Sequence, residues 1–211
     1  MDDRRKNPED LLHVIERQAT AKKRGRLRVF LGMCPGVCKT YAMLRSAREQ
    51  QNRGVKVLVG VVETHGRKET EEMLASLTLI PRQMINYKGT SLQEMDLDAI
   101  LRDKPDLVLV DELAHTNAPG SRHSKRLQDI DEILRSGIDV YTTLNIQHIE
   151  SRNEQVAQIT GIHVRETIPD SFLENADPIE MIDLSPAQFL QRLREGKVYL
   201  EDRAQAAIDN F

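Results

Sequence analysis

Short apolar runs alternate with longer stretches of helical periodicity along most of the chain, the pattern of repeated strand–helix–strand units in a mostly parallel sheet. Strands are predicted at Leu27–Leu31, Val55–Val62, Met84–Tyr87, Asp106–Val110 and Ile138–Leu144. Helices are predicted at Lys39–Asn52, Lys68–Leu77, Leu92–Arg102 and Lys125–Ser136, the first closed by Gly54 and the last by Gly137. Beyond residue 145 the alternation weakens: a helix over Glu150–Thr160, strands over Ile162–Thr167 and Ile179–Asp183, and a helix over Pro186–Glu195. Ahead of the first strand, Pro8–Arg17 reads as an amphipathic helix with Asn7 as N-cap and Pro8 at its first position, running on to the basic Lys22-Lys23-Arg24. The expected organisation is an N-terminal helix and basic segment over 1–24 and a single α/β domain over 25–211. The last residues, 205–211, keep a helical pattern without a cap, so the natural chain is expected to continue.

Composition narrows the classes of function. Lys and Arg number 30 against 33 Asp and Glu, a net charge of −3, which lacks the basic excess of a nucleic-acid binder. Aromatic residues are 4% with no Trp, too few for a base-stacking platform. No run approaches the roughly 20 apolar residues of a membrane span, so no direct membrane contact is expected of this piece. The two cysteines, Cys34 and Cys38, fall within five residues of each other and form neither a disulfide framework nor a zinc-spaced ligand set.

Ligands of an open parallel sheet bind beyond the carboxyl ends of its strands. The first predicted strand runs into Gly32-Met33-Cys34-Pro35-Gly36-Val37-Cys38-Lys39-Thr40 and then a helix. That is the context of a phosphate-binding loop, in which backbone N–H groups cradle phosphate, Lys39 reaches the terminal phosphates and the Thr40 hydroxyl holds Mg²⁺. The strict pattern wants glycine at positions 33 and 38, where Met33 and Cys38 stand; Gly32 and Gly36 are displaced, and Pro35 shapes the turn. A left-handed backbone at Cys38 would cost about 1–2 kcal/mol and weaken the site.

The fourth predicted strand ends Leu107-Val108-Leu109-Val110-Asp111-Glu112, apolar residues that deliver an acidic pair. Asp111 is the candidate for the Mg²⁺ shell and Glu112 for a general base. A helix cap or a surface carboxylate pair would read the same way. Two further strand ends are polar, Glu63-Thr64-His65-Gly66-Arg67 and Thr142-Thr143-Leu144-Asn145-Ile146-Gln147-His148. Asn145 or His148 could sense a γ-phosphate, and Arg67 could meet phosphate or a partner. The loop from His115 to Arg126 carries several basic side chains, of which Arg122 and Lys125 are candidates to stabilise transition-state charge.

These runs resemble a known family. Phe30–Leu44, Val59–Arg67, Val110–His123, Asp139–His148 and Val164–Asp170 closely resemble the N-terminal cytoplasmic domain of the KdpD potassium-responsive sensor histidine kinases, with the likeness running from about Gly25 to Val198. The resemblance implies a P-loop NTPase-like α/β fold, a mostly parallel sheet flanked by helices, that binds ATP and Mg²⁺. The resemblance carries over Lys39, Thr40, Asp111 and Glu112 as the expected ATP–Mg²⁺ residues; with Gly32, Pro35, Gly36, Val37 and Cys38 of the loop and Asn145, read from the residues themselves, they make up the candidate nucleotide site, with Thr40 and Asp111 to hold the metal. It further implies the cytoplasmic part of a membrane-anchored two-component kinase that controls a high-affinity potassium pump. The partners would be the parent's other cytoplasmic domains, a response regulator reached through a kinase core outside these residues, and the potassium transporter. A regulatory ATP-binding module, an active NTP hydrolase or phosphotransferase, and an interaction module with a vestigial site all remain open at this point.

Overall fold

The computed structural model describes residues 24–194. The predicted helix at Pro8–Arg17 and the helical pattern of 205–211 lie outside them. Six strands form one parallel sheet: β1 (Leu27–Gly32), β2 (Val57–Val61), β3 (Thr78–Leu79), β6 (Leu107–Val110), β7 (Asp139–Asn145) and β8 (Ala176–Ile182), in the order β3-β2-β6-β7-β1-β8. Helices α1 (Lys39–Asn52), α2 (Lys68–Leu74), α3 (Leu97–Asp103), α4 (Arg126–Arg135), α5 (Glu150–Thr160), α6 (Asp170–Leu173) and α7 (Pro186–Arg194) complete the layers.

Strand alternation assigns each face of the sheet to its own core. Phe30, Val57, Val59, Leu107 and Leu109 pack with Met43, Leu44 and Ala47 of α1. Their sequence neighbours Val29, Leu31, Leu58, Val108 and Val110 point the other way, towards Ile100 of α3 and Ile130, Ile133 and Leu134 of α4. Each such side chain contributes about 1.5–3 kcal/mol when fully buried. The central strands are thus held from both sides, and their carboxyl ends share one edge.

Several predicted elements are corrected. Met84–Tyr87 belongs to β4 (Gln83–Tyr87), which is outside the parallel sheet and pairs antiparallel with β5 (Thr90–Glu94). The two-residue turn has both residues at positive φ, Lys88 at 48° and Gly89 at 82°, the geometry that matches strand twist in a tight hairpin. The predicted helix at Leu92–Arg102 therefore starts late, at Leu97, where the Asp96 side chain accepts from Ala99 N at 2.9 Å as N-cap. Ile162–Thr167 forms no strand, because β7 and β8 already occupy both sides of β1; only an isolated bridge, Ile149 to Ile168, remains there. The strand predicted at Ile179–Asp183 is longer and earlier, Ala176–Ile182.

Candidate functional site

The turn after β1 is shaped by its backbone. Cys38 sits at φ 71° and ψ 23°, the left-handed region, immediately before α1, and its carbonyl accepts Ala42 N at 2.9 Å. The strain expected from the sequence, about 1–2 kcal/mol, is present in this conformation. Gly36 takes φ 87°, where glycine is at ease. A Cβ on Gly32 would lie 2.6 Å from Val37 Cγ2 and 2.8 Å from Lys39 Cδ, so only glycine lets the lysine stem cross the end of β1. Val37 is 1% exposed and anchors the loop in the core. Lys39 is buried, and its Nζ donates to the Cys34 carbonyl at 3.1 Å. Burial lowers its proton affinity, with Asp111 pulling the other way.

Asp111, 1% exposed, follows β6 directly and is held from four directions. Its Oδ2 accepts Thr40 Oγ1 at 3.1 Å and Glu63 N at 3.2 Å. Its Oδ1 accepts Glu112 N at 3.1 Å and the Thr143 hydroxyl from β7. Thr143 Oγ1 also accepts Glu112 N at 3.2 Å, so the strand between β1 and β6 fixes the acidic pair. Glu112 turns into the left-handed region at φ 57°, which swings its side chain outward. That side chain keeps 44% of its surface exposed, yet desolvation and then the Asp111 charge push its pKa above the ordinary carboxyl value, against the pull of Arg126 and His65.

These groups line a cleft of about 300 Å³. Pro35, Gly36, Lys39, Thr40, Asp111, Glu112 and Asn145 of the predicted site residues meet there, joined by His65, Arg67 and His148. Gly32, Val37 and Cys38 shape the loop from behind and do not line the cleft. The Asn145 amide oxygen is buried without a hydrogen-bond partner, a polar group directed at a cleft that can supply one. His148 Nδ1 lies 2.6 Å from the Glu166 carbonyl, an acceptor that requires the proton on Nδ1.

Arg122 is not part of this assembly. Its guanidinium is held at 2.6 Å by Asp98 and at 2.6 Å by Glu132, and it does not line the cleft. The predicted role in transition-state stabilisation is therefore corrected: two carboxylates already use its charge. Lys125 is likewise occupied, its Nζ donating to the Thr167 carbonyl at 3.0 Å.

Arg126 and Glu94 are the residues that sequence reasoning missed. Arg126, 3% exposed, donates from Nη1 to the Asp111 carbonyl at 3.0 Å and from Nη2 to Glu94 Oε2 at 3.4 Å, with Glu112 Oε2 at 3.9 Å. Glu94, on β5, also accepts Ala118 N at 2.7 Å and faces His115 Nε2 at 3.2 Å. No local spacing signals this lattice, because the hairpin, the loop and α4 bring its members from separate stretches of chain.

The donor set suits a phosphate with a hard divalent cation. A lysine and the backbone of a glycine-containing turn are of the kind that would face phosphate, while a hydroxyl and a carboxylate, 3.1 Å apart, are of the kind that would ligate Mg²⁺. Among the described residues no group of three or more His, Cys, Asp or Glu could cage a metal. A cation here would take its remaining ligands from phosphate and water, as Mg²⁺ commonly does.

Residues 23–211 match a family model described as KdpD, osmosensitive K⁺ channel His kinase sensor domain. The chain belongs to the KdpD sensor domain family. Sensor protein KdpD of Escherichia coli K12 is 52% identical over 207 residues, which are 98% of this chain and 23% of that protein. Sensor protein KdpD of Clostridium acetobutylicum is 47% identical over 207 residues, again 98% of this chain and 23% of the relative. The KdpD protein of Mycobacterium tuberculosis H37Rv is 49% identical over 198 residues, 94% of the chain and 23% of the relative. The chain thus spans about a quarter of these KdpD relatives, and the parallel α/β sheet flanked by helices is the fold of the segment they share with it. Among the described residues no helix is long and apolar enough to cross a membrane.

Proposed function

We propose that this chain is the nucleotide-binding regulatory module of a membrane-anchored two-component sensor kinase, whose occupancy by MgATP biases the activity of a histidine kinase core elsewhere in the parent protein. The reading rests most heavily on one observation: Thr40, beside Lys39 at the start of α1, donates to Asp111 at the end of β6 across an intervening strand. That juxtaposition at the carboxyl edge of a parallel sheet suits phosphate and Mg²⁺ together. The family description, an osmosensitive K⁺ channel His kinase sensor domain, and the relatives' names as sensor proteins support the sensor-kinase setting; phosphorylation of a response regulator by the parent, and through it control of a potassium pump, is part of the proposal. The parent's other cytoplasmic domains are the nearest partners, with the transporter as a further one.

Bound MgATP would supply a terminal phosphate and a metal that neutralises its charge. Lys39 would exchange its bond to the Cys34 carbonyl for one to phosphate, Thr40 and Asp111 would hold the cation, and Asn145 would give its unpartnered amide a partner. Glu112, turned towards the cleft with a raised pKa, would orient a water or accept its proton, so the same site supports NTP hydrolysis or phosphotransfer as a second reading. Strain at Cys38 sets the expected affinity below that of a loop with glycine there.

Calorimetric titration of MgATP, MgADP and MgGTP into this chain and its Lys39→Ala variant tests the proposal. Saturable binding of MgATP, lost by about tenfold or more in Lys39→Ala, is the expected result. No heat with any nucleotide, or equal binding by the variant, would overturn the nucleotide reading and leave that of an interaction module with a vestigial site.

A further inference from the structure

The chain enters the described residues at a fixed place, on the last turns of α4. Arg24 donates to Asp131 Oδ1 of that helix at 2.7 Å, and Gly25 N donates to the Leu134 carbonyl at 2.8 Å. A Cβ on Gly25 would lie 1.9 Å from the Ile138 carbonyl oxygen, so the backbone is pressed against the turn that follows α4 and only glycine fits. The 23 residues that precede Arg24 therefore start from the flank of α4 that Asp131 marks.

That flank is one wall of a groove of about 520 Å³, larger than the cleft at the strand ends. Leu127, Asp131 and Arg135 line it at four-residue spacing, on the side of α4 turned away from its core residues Ile130, Ile133 and Leu134. Phe172 of α6 and Asn175 just beyond it form the facing wall. Leu127 and Phe172 are half-buried: each packs on the core with one side and meets the groove with the other. Apolar surface thus lies between two walls, and the carboxylate on its rim, which Arg135 also holds at 2.6 Å, has taken a cation from the arriving chain.

The sequence ahead of Arg24 has the matching character. Leu11, Leu12, Val14 and Ile15 fall at helical spacing within the predicted helix Pro8–Arg17, and the cations Lys22-Lys23-Arg24 follow. The lengths agree as well. Ten helical residues span about 15 Å, as the ten-residue α4 does, and the chain from Arg17 to Arg24 reaches at most about 25 Å. Attachment this close makes docking intramolecular, so a contact too weak to hold a free peptide suffices.

We infer that residues 8–17 of the same chain dock in this groove, their apolar face against Leu127 and Phe172 and the basic run behind them pinned at Asp131. The docked segment bears on the candidate site through α4, which begins at Arg126, whose Nη1 donates to the Asp111 carbonyl at 3.0 Å. It braces the helix that supports the acidic pair.

The test uses the 211-residue chain carrying a photoreactive benzophenone side chain at position 12, with cross-links mapped by mass spectrometry. Amide hydrogen exchange is followed over 126–135 and 170–175 in wild type, in Leu12→Met, and in the double variant Leu12→Asp with Ile15→Asp. Cross-links within one chain to 127–135 or 171–175 are expected. Exchange in both walls should quicken about tenfold in the double variant and stay as in wild type in Leu12→Met, with β2 and β6 unchanged throughout. Cross-links joining two chains would give the groove to a second copy and overturn docking within the chain. No cross-link to either wall, or wall exchange indifferent to the double variant, would overturn the site itself. Should the double variant loosen β2 and β6 as well, the position of the cross-link in the otherwise native chain decides between the same two outcomes.

Discussion

A side chain at φ 71° in the turn before α1 crowds its own backbone, and glycine at the same place would not. Cys38→Gly is therefore expected to stabilise the fold by up to about 1 kcal/mol, since glycine's larger unfolded-state entropy offsets part of the relieved strain. It should also tighten MgATP binding, whereas Cys38→Ala, which keeps a Cβ, should do neither; denaturant titration and calorimetry read the two effects. Glu112 gives a pH signature at the same scale. Its folded-state pKa is raised above the ordinary 4.5, so folding takes up protons in the window between 4.5 and the raised value, and stability falls as pH rises through it. Glu112→Gln removes that titration. The variant should gain stability over wild type at about pH 8 and not at about pH 4, and a gain that is uniform with pH would contradict this assignment. Counting back from Lys39 was enough to expose Cys38, because a loop of fixed length dictates which position must turn left-handed. No such count could find Thr143 or Arg126, whose partner Asp111 lies 32 and 15 residues away and becomes a neighbour through the fold alone.

Elements differed in legibility for a physical reason. β1, β2 and β6 are buried from both sides and show as mainly apolar runs whatever their neighbours, while β7 is marked by its β-branched and aromatic residues Val140, Tyr141, Thr142 and Thr143. The β4–β5 hairpin has mixed exposure and a Lys88-Gly89 turn, a weaker signal than the Asn-Gly or Asp-Gly pairs that mark tight hairpins. Its apolar positions near Leu92 merged with those of α3 into one apparent helical period. Asp96 is the punctuation between them, capping Ala99 N at 2.9 Å. Asp96→Ala should destabilise by about 1 kcal/mol in urea titration with an unchanged slope, and Asp96→Asn, which keeps the acceptor, by much less. A loss with Asn as large as that with Ala would show that the negative charge, and not the cap, matters at this position.

On the scale of the whole molecule, strand alternation and helix periodicity announced a parallel α/β sheet, but strand order depends on long-range pairing that no local pattern encodes. That order separates β1, which runs into the turn at Gly32–Thr40, from the strand of the acidic pair by β7, which brings Thr143 and Asn145 between them. The cleft is thus assembled at the ends of β1, β2, β6 and β7, which are distant in sequence, and a ligand in it would tie them together. MgATP at about 100 times its dissociation constant should raise the unfolding free energy by about 2.7 kcal/mol. Thermal or urea unfolding at graded ATP reads the shift, and Lys39→Ala should abolish it. Stabilisation of that variant equal to wild type would place the nucleotide somewhere other than this cleft.

The bond from Lys39 to the Cys34 carbonyl carries a last consequence. The ammonium already has an acceptor inside its own loop, and Thr40 has one in Asp111. Phosphate and metal bound as proposed would each displace a hydrogen bond that is in place, so the tally of such bonds would change little on their arrival. What changes is the charge that each donor or acceptor faces. Under the proposed function the loop would behave as a latch closed on itself, opened by a ligand that presents more negative charge than a peptide carbonyl, and a neutral nucleoside should leave it shut.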